Sequence, residues 1–335
     1  MKTYIIALKF VCLTGIMSLP LKGYSQDSHF SQIYEIPILL NPARTGFFKD
    51  NYRLAGIYRS QWKEITQPFK TISGTIDLNI PAGKNRTNLV GIGLMNFADK
   101  AGDADYTSNY LEAAFSFHKN FGDNFSHYLG MGMMTGFATT SFDITKLTFD
   151  EDFGTGINSD IPDITSTNFF DMSAGIEYNF LNEKMHFNAG FSVFHLNEPG
   201  ISYFGNDASR INRKWVISTG LAKSISPMAE LLPRAAFFIQ GPSSEFEFGT
   251  DVKIVLSKNS NTNYAIFLGA YLRLGDAFIP KFKIDMGDLS FGLSYDIPVS
   301  GLSEISRLAG GPELSIAFLG TVKGISAGRV YNPRF

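Results

Sequence analysis

Residues 169–196 read FFDMSAGIEYNFLNEKMHFNAGFSVFHL, and this stretch decides the fold. Its first half sets Phe170, Met172, Ala174, Ile176, Tyr178 and Phe180 against Asp171, Ser173, Gly175, Glu177 and Asn179. After Leu181-Asn182-Glu183 the alternation resumes, with Met185, Phe187, Ala189, Phe191 and Val193 against His186, Asn188, Gly190 and Ser192. A period of two is the signature of a strand, because successive side chains leave opposite faces of a pleated chain. Two such runs around a short polar turn predict a hairpin. Each run is about 11 residues long, which a tilted strand needs to cross a bilayer. Strands of soluble sandwiches average about 5–6 residues.

The same unit recurs along the chain. Alternating runs at 52–62, 70–79, 88–97, 109–118 and 126–137 precede this hairpin. Others follow at 213–223, 233–240, 245–256, 262–274, 279–286, 289–297 and 313–319, fourteen candidate strands in all. An even count suits a closed bacterial barrel. Closure is the physical requirement, since hydrocarbon offers no partner to a free backbone N–H or C=O. The expected fold is therefore an all-β transmembrane antiparallel barrel spanning 51–319. A large soluble sandwich or solenoid is the competing architecture, disfavoured by the strand lengths and the apolar outer face.

Composition agrees. The chain has 335 residues, 31 Phe, 14 Tyr, 32 Gly and only 18% charged residues. Mean hydropathy is +0.00, as expected where lipid-facing and lumen-facing residues cancel within any window. The net charge of −2 excludes the basic patch of a nucleic-acid binder. After the N-terminus no apolar run reaches the length of a membrane helix. Residues 1–25 read as a secretory signal: Lys2, a mostly apolar stretch to Leu21, and Gly23-Tyr24-Ser25 before Gln26. The only cysteine, Cys12, lies within it, leaving the exported chain without a thiol.

Residues 26–50 do not alternate, and Pro37 and Pro42 exclude both a long helix and a central strand. This irregular segment is expected to plug the barrel or to lie in the periplasm. With the N-terminus on the periplasmic side, odd-numbered connections face out. The four longest by this reading, 98–108, 138–168, 197–212 and 298–312, are all odd. Residues 320–335 form a C-terminal tail whose final Phe suits barrel assembly.

Chemistry is sparse. The five histidines, His29, His118, His127, His186 and His195, form no close metal-type pair, so no metal or cofactor is expected. Gly130-Met-Gly132-Met-Met-Thr-Gly136 lacks the spacing and helix of a nucleotide loop and reads as small strand residues. The acidic loop Asp150-Glu151-Asp152, with Asp160 and Asp163, offers carboxylates to Ca²⁺ but lacks the oxygen ligand an EF-hand needs at its fifth position, here Gly154, and reads as a solvated outer loop. No nucleophile elbow exists, and no enzyme is expected. Arg53, Arg59 and Gln61 share one parity; with Asp77 and Glu112 they predict an arginine–carboxylate lattice in the lumen. Such a lattice either fills and rigidifies the barrel or serves selectivity.

One resemblance covers nearly the whole chain. Gln26-Asp27-x-x-Phe30-Ser31-Gln32-x-Tyr34, then Pro37 and Leu40-Asn41-Pro42-Ala43-x-x-Gly46, resembles the start of mature PorP/SprF-family proteins of the Bacteroidetes type IX secretion and gliding machinery. Tyr58-Arg59-x-Gln61-Trp62 is similar to the family's next motif, with Ser60 where Asn is usual. Asp77, Gly91-x-Gly93, Asp99, Gly190-x-Ser192-x-x-His195-Leu196 with Pro199, and Tyr271-x-Arg273 fit as well. So do Gly275-Asp276-Ala277, Ser294-Tyr295-Asp296 with Ser300-x-Leu302, and Gly310-Gly311-x-Glu313-Leu314-Ser315; Pro312 departs from an aromatic.

The resemblance implies an outer-membrane barrel that binds secreted cargo, notably a surface adhesin with a type B C-terminal sorting domain, and supports its export or attachment. Periplasmic secretion-ring components are a further implied partner, alongside membrane lipid. The motif positions carried over, as structural or partner contacts, are Phe30, Gln32, Asn41, Pro42, Gly46, Arg59, Gln61, Trp62, Asp77, His195, Pro199, Arg273, Tyr295, Asp296 and Glu313. The alternative function is an outer-membrane channel for hydrophobic or small solutes, a fourteen-stranded lumen being wider than an eight-stranded one.

Overall fold

The computed structural model describes residues 27–61, 67–83, 87–121, 126–146, 165–203, 209–258, 263–299 and 310–322. The signal-like residues 1–25, Trp62, the acidic loop from Asp150 to Asp163, Ser300, Leu302 and most of the tail lie outside them.

Fourteen long strands form one closed antiparallel ring. They are β1 (Tyr52–Gln61), β2 (Phe69–Ala82), β3 (Asn88–Ala101), β4 (Tyr106–Asn120), β5 (His127–Ser141), β6 (Ser166–Leu181) and β7 (Met185–Phe194). The ring continues through β8 (Lys214–Ser226), β9 (Ala229–Gln240), β10 (Ser243–Lys258), β11 (Asn263–Arg273), β12 (Ala277–Met286), β13 (Leu289–Tyr295) and β14 (Pro312–Gly320). Each strand pairs with its neighbours in sequence, and β1 closes against β14, Tyr52 opposite Gly320 and Arg59 opposite Glu313. After β13 the pair Ile297–Pro298 docks on the start of β12.

Alternation decides which face sees lipid. On β6, Asp171, Ser173, Glu177 and Asn179 are buried, whereas Phe170, Met172, Ile176 and Tyr178 are exposed outward. The same parity runs around the ring, with Leu54, Ile72, Leu94, Leu111, Met131, Ile217, Leu268, Leu293 and Ile316 among the outward apolar side chains. A largely apolar exterior of this kind is a surface solvated by lipid.

Strands are longer than the alternation alone suggests, reaching 16 residues in β6 and β10. The expected long connection at 98–108 is therefore a correction. β3 runs on to Ala101 and β4 starts at Tyr106, so only 102–105 remain, as a turn with Gly102 at φ +69° and Asp105 at +48°. Polar residues such as Asp99 and Ser108 still pair in the ladder there, because strands rising above the apolar belt need no alternation of hydrophobicity. The three longest connections, 142–165, 195–213 and 296–311, all lie at one end, here termed the upper end. The lower end carries short turns, including 182–184, 227–228 and 287–288.

The irregular segment threads the ring. Asp27 bonds Gln240 and His195 at the upper end. Asn51 bonds Gly320 and Asn79 at the lower end, where the chain enters β1. The premise of an N-terminus on the lower side thus holds at β1 but not at Asp27, which lies a barrel length away. Three short 3₁₀ turns, Ile33–Glu35, Pro37–Leu39 and Pro42–Arg44, coil this stretch inside the lumen. Its apolar side chains build a core there. Ile33, Tyr34, Ile38 and Leu40 pack with Met95, Met134, Val216, Phe238, Tyr271 and Ile279 of the wall. Phe30 and Ile36 pack with the inward Ala55 and Ile57 of β1.

Candidate functional site

Polar residues stitch the threaded segment to the wall, and most motif positions sit along that seam. At the upper end Gln32 donates its backbone N–H to Glu313, and its side-chain amide donates to the Glu313 carbonyl at 3.1 Å. Ser31 donates its N–H to Glu313 at 2.8 Å and its hydroxyl to Asp296 at 2.6 Å. Arg59 pairs with Asp296 and also donates to the His29 carbonyl. Arg273 lies between Asp296 at 3.2 Å, Glu247 at 3.3 Å and Asp276 at 2.9 Å, and donates to Ser31 Oγ at 2.7 Å. Charges this deep need partners, because a bare charge in a packed interior costs far more than folding supplies.

Beside this knot stands a second one. His195 lies just beyond β7 with φ +55°, its Nε2 2.9 Å from Asp27 and its Nδ1 2.8 Å from Asp171. Lys214 adds a cation 3.6 Å from Asp27. Burial alone would lower the imidazole pKa, but the carboxylates of Asp27 and Asp171 outweigh it and push the ring up to about 10. For Asp27, burial acts upward, and His195 with Lys214 outweighs it, holding the carboxyl well below its ordinary range. His195 is thus an imidazolium clamped between two carboxylates.

Further down, Asn41 caps the turn Pro42–Arg44 by accepting from Ala43 N–H, and donates to the Ile176 carbonyl at 2.9 Å. Arg44 meets Glu177 and Asn188. Asp77 accepts from Gly46 N–H at 2.8 Å and forms a two-pronged pair with Arg53, at 3.0 and 2.7 Å. The expected lattice is therefore present for Arg53, Arg59 and Asp77. Glu112 is buried as well, with one oxygen lacking a hydrogen bond among the described residues.

The other expected positions divide differently. Phe30 packs edge-on to Phe97 at 6.0 Å, and Pro42 and Pro199 are buried. Gln61 is half-buried at the upper end of β1, and Tyr295 faces outward with the lipid-facing set, away from the seam. Trp62 lies outside the described residues.

Wall glycines complete the seat, and the alternation gave no warning of their role. A Cβ on Gly132 would fall 2.4 Å from Ala43 N, and one on Gly91 would fall 2.0 Å from the Thr45 carbonyl oxygen. Both are backbone atoms that cannot swing aside. Apolar residues at inward parity, Met95 and Met134 above all, were the readable hint that the lumen holds a core.

A cavity of about 800 Å³ lies at the lower end beside Glu35, Arg234, Asp251, Lys253, Lys281 and Lys283. Glu35 of the segment bridges Lys281 at 2.7 Å and Lys283 at 2.8 Å. At the upper end a small pocket of about 20 Å³ lies among Asp27, His29, Lys214, Gln240 and Glu245. Among the described residues no group of His, Cys, Asp or Glu could hold a metal ion.

A closed ring with a lipid-facing exterior and a packed polar interior defines an outer-membrane β-barrel. Solved structures agree on the fold. The Ralstonia pickettii toluene transporter TbuX is similar with TM-score 0.51 and 8% identity, over 86% of this chain and 93% of that one. The Pseudomonas putida toluene transporter TodX is similar with TM-score 0.50 and 10% identity, over 90% and 96%. No curated protein matches. The family described as type IX secretion system membrane protein PorP/SprF matches residues 22–318, and the chain belongs to that family.

Proposed function

We propose that this barrel is a non-enzymatic docking component of the type IX machinery, which binds a secreted adhesin-like partner through a type B C-terminal domain and supports its export or surface attachment. One observation carries the reading: the lumen is filled by the chain's own segment, and the three longest connections all leave the ring at its upper end. Long connections on a rigid scaffold are where recognition residues collect. In this reading the upper end faces the cell exterior and the lower cavity faces the periplasm, where ring components can approach. Phe30, Gln32, Asn41, Pro42, Gly46, Arg59, Asp77, His195, Arg273, Asp296 and Glu313 then act by holding the stopper and so shaping the platform.

The channel alternative draws on the fold shared with TbuX and TodX. Against a hydrophobic solute stands the lining of the lower cavity, which carries charged side chains of both signs, Glu35, Arg234, Asp251, Lys253, Lys281 and Lys283 among them. The deciding experiment removes the gene and follows each type IX cargo by surface labelling and culture-supernatant proteomics. One adhesin-like cargo should be trapped or released while small-solute permeability stays unchanged. Normal display of every cargo would overturn the reading.

A further inference from the structure

The wall is not equally paired along its height. β6 pairs with β5 over its length, from Ser141 opposite Ser166 down to His127 opposite Phe180. With β7 it pairs only from Ala174 opposite Val193 downward. Among the described residues, the eight from Ser166 to Ser173, about 27 Å of strand, therefore have no paired strand on their β7 side. This break is built rather than frayed. At His195 the chain takes a left-handed turn, and the imidazolium is clamped inward to Asp27 and Asp171, so β7 cannot continue beside β6.

The orientation of the backbone groups follows from the bonds that are made. The Met172 carbonyl accepts from Leu196 N–H at 2.8 Å and the Phe170 carbonyl from the Asn197 side chain at 2.6 Å. The Asp171 carbonyl accepts from Thr135 on the β5 side. Even-numbered residues therefore turn their N–H and C=O toward the vacant side. Among the described residues no further bond outside the strand ladders reaches the N–H or C=O of Asn168 or the N–H of Phe170. A row of open groups at strand spacing is a template that only another extended backbone satisfies. Side chains set the chemistry of the guest. Beside the edge, Phe170 and Met172 point to the lipid face, with Phe137 stacked edge-on to Phe170 at 5.6 Å, and Asp171 and Ser173 point inward.

We propose that the upper half of β6 is a strand-docking edge, which takes an extended amphipathic segment of the secreted partner, apolar on alternate residues, as an added strand. The inference rests on the docking function above and names its contact. The edge stands at the end that bears the long connections, where such a partner arrives.

Proline at 168 tests it, because that N–H points to the vacant side and its loss breaks no bond to β5. The probe is a synthetic peptide with the sequence of Met185–Phe194, which already pairs with the lower half of β6, read by fluorescence anisotropy on purified barrel in detergent. Heat-modifiable migration in gels confirms that each variant is folded. Wild type and Asn168→Thr should bind alike, and Asn168→Pro about tenfold more weakly, as expected for losing one or two backbone hydrogen bonds. The Asn168 and Phe170 amides should exchange fast in the free barrel and slowly with peptide. Equal binding by Asn168→Pro, or slow exchange already in the free barrel because the 195–213 connection covers the edge, would overturn the inference. In cells, cargo display by Asn168→Pro in a background where deletion abolishes display removes the strand-docking idea and leaves the docking function standing. Normal display in the deletion strain removes the function instead.

Discussion

Arg273 illustrates what one residue contributes here. Its side chain is 1% exposed, and four carboxylates, Glu245, Glu247, Asp276 and Asp296, converge on it together with Ser31. Replacing it by Ala leaves Glu247 buried without its cation and Asp296 with Arg59 alone, a loss of about 3–5 kcal/mol where such a pair is broken on one side only. Arg273→Ala should therefore melt well below wild type by heat-modifiability, while Arg273→Lys recovers part of the loss, because a lysine restores charge but not the fork. The clamp at His195 gives a pH dependence with a definite sign. Its folded pKa, about 10, is above the ordinary 6.5, so its contribution is complete below about 6.5 and fades as pH rises toward 10. The Asp27 carboxyl has the opposite sense. It is held below its ordinary 3.8, so its contribution is complete above that value and fades as the medium becomes more acid. The upper seal should be tightest between about pH 4 and 6.5, read as slowest proteolysis after Asp27 by an added protease. His195→Gln should flatten the alkaline limb.

At the scale of elements, the strands were legible because lipid outside and polar groups inside force a period of two, and Phe170 through Phe180 displays it without interruption. Their ends were less so. Above the apolar belt Asp99 and Ser108 pair as well as any apolar residues, and no hydrophobic signal marks where pairing stops. The segment 26–50 was legible as irregular through Pro37 and Pro42, yet its course was not, since nothing local in IYEIPILL states what it packs against. Its seat can be tested alone. A valine at Gly132 places Cβ against the backbone of Pro42 and Ala43, so Gly132→Val should expel the turn Pro42–Arg44 from its seat. Ring closure does not depend on that turn, so the variant should remain a heat-modifiable barrel while Arg44 becomes open to trypsin. A Gly132→Val barrel with Arg44 as protected as wild type would refute this account of the seat.

For the whole molecule, the arginine–carboxylate lattice was legible as a parity, but its counterpart was not. Arg59 and Arg273 join through Asp296 and Ser31, residues 237 and 242 apart in sequence from their partners, and no spacing rule connects such positions. What the lattice does as a unit is close the barrel. Fourteen strands enclose a lumen wide enough to conduct unless filled, and here a core of Ile33, Tyr34, Ile38 and Leu40 fills it from within. Two consequences separate stopper from wall. The ring of β1–β14 is closed by its own backbone ladders, so a chain lacking residues 28–48 should still insert as a barrel, though less stable for the buried acids and arginines it exposes. In planar bilayers the intact protein should pass little current, because the segment's apolar core and its bonds to the wall fill the lumen. The shortened chain should give large, steady, weakly selective conductance, since the inward charges of both signs offer no single-sign filter. Large conductance from the intact protein would mean that the segment does not stopper the lumen, and the docking platform would lose its floor.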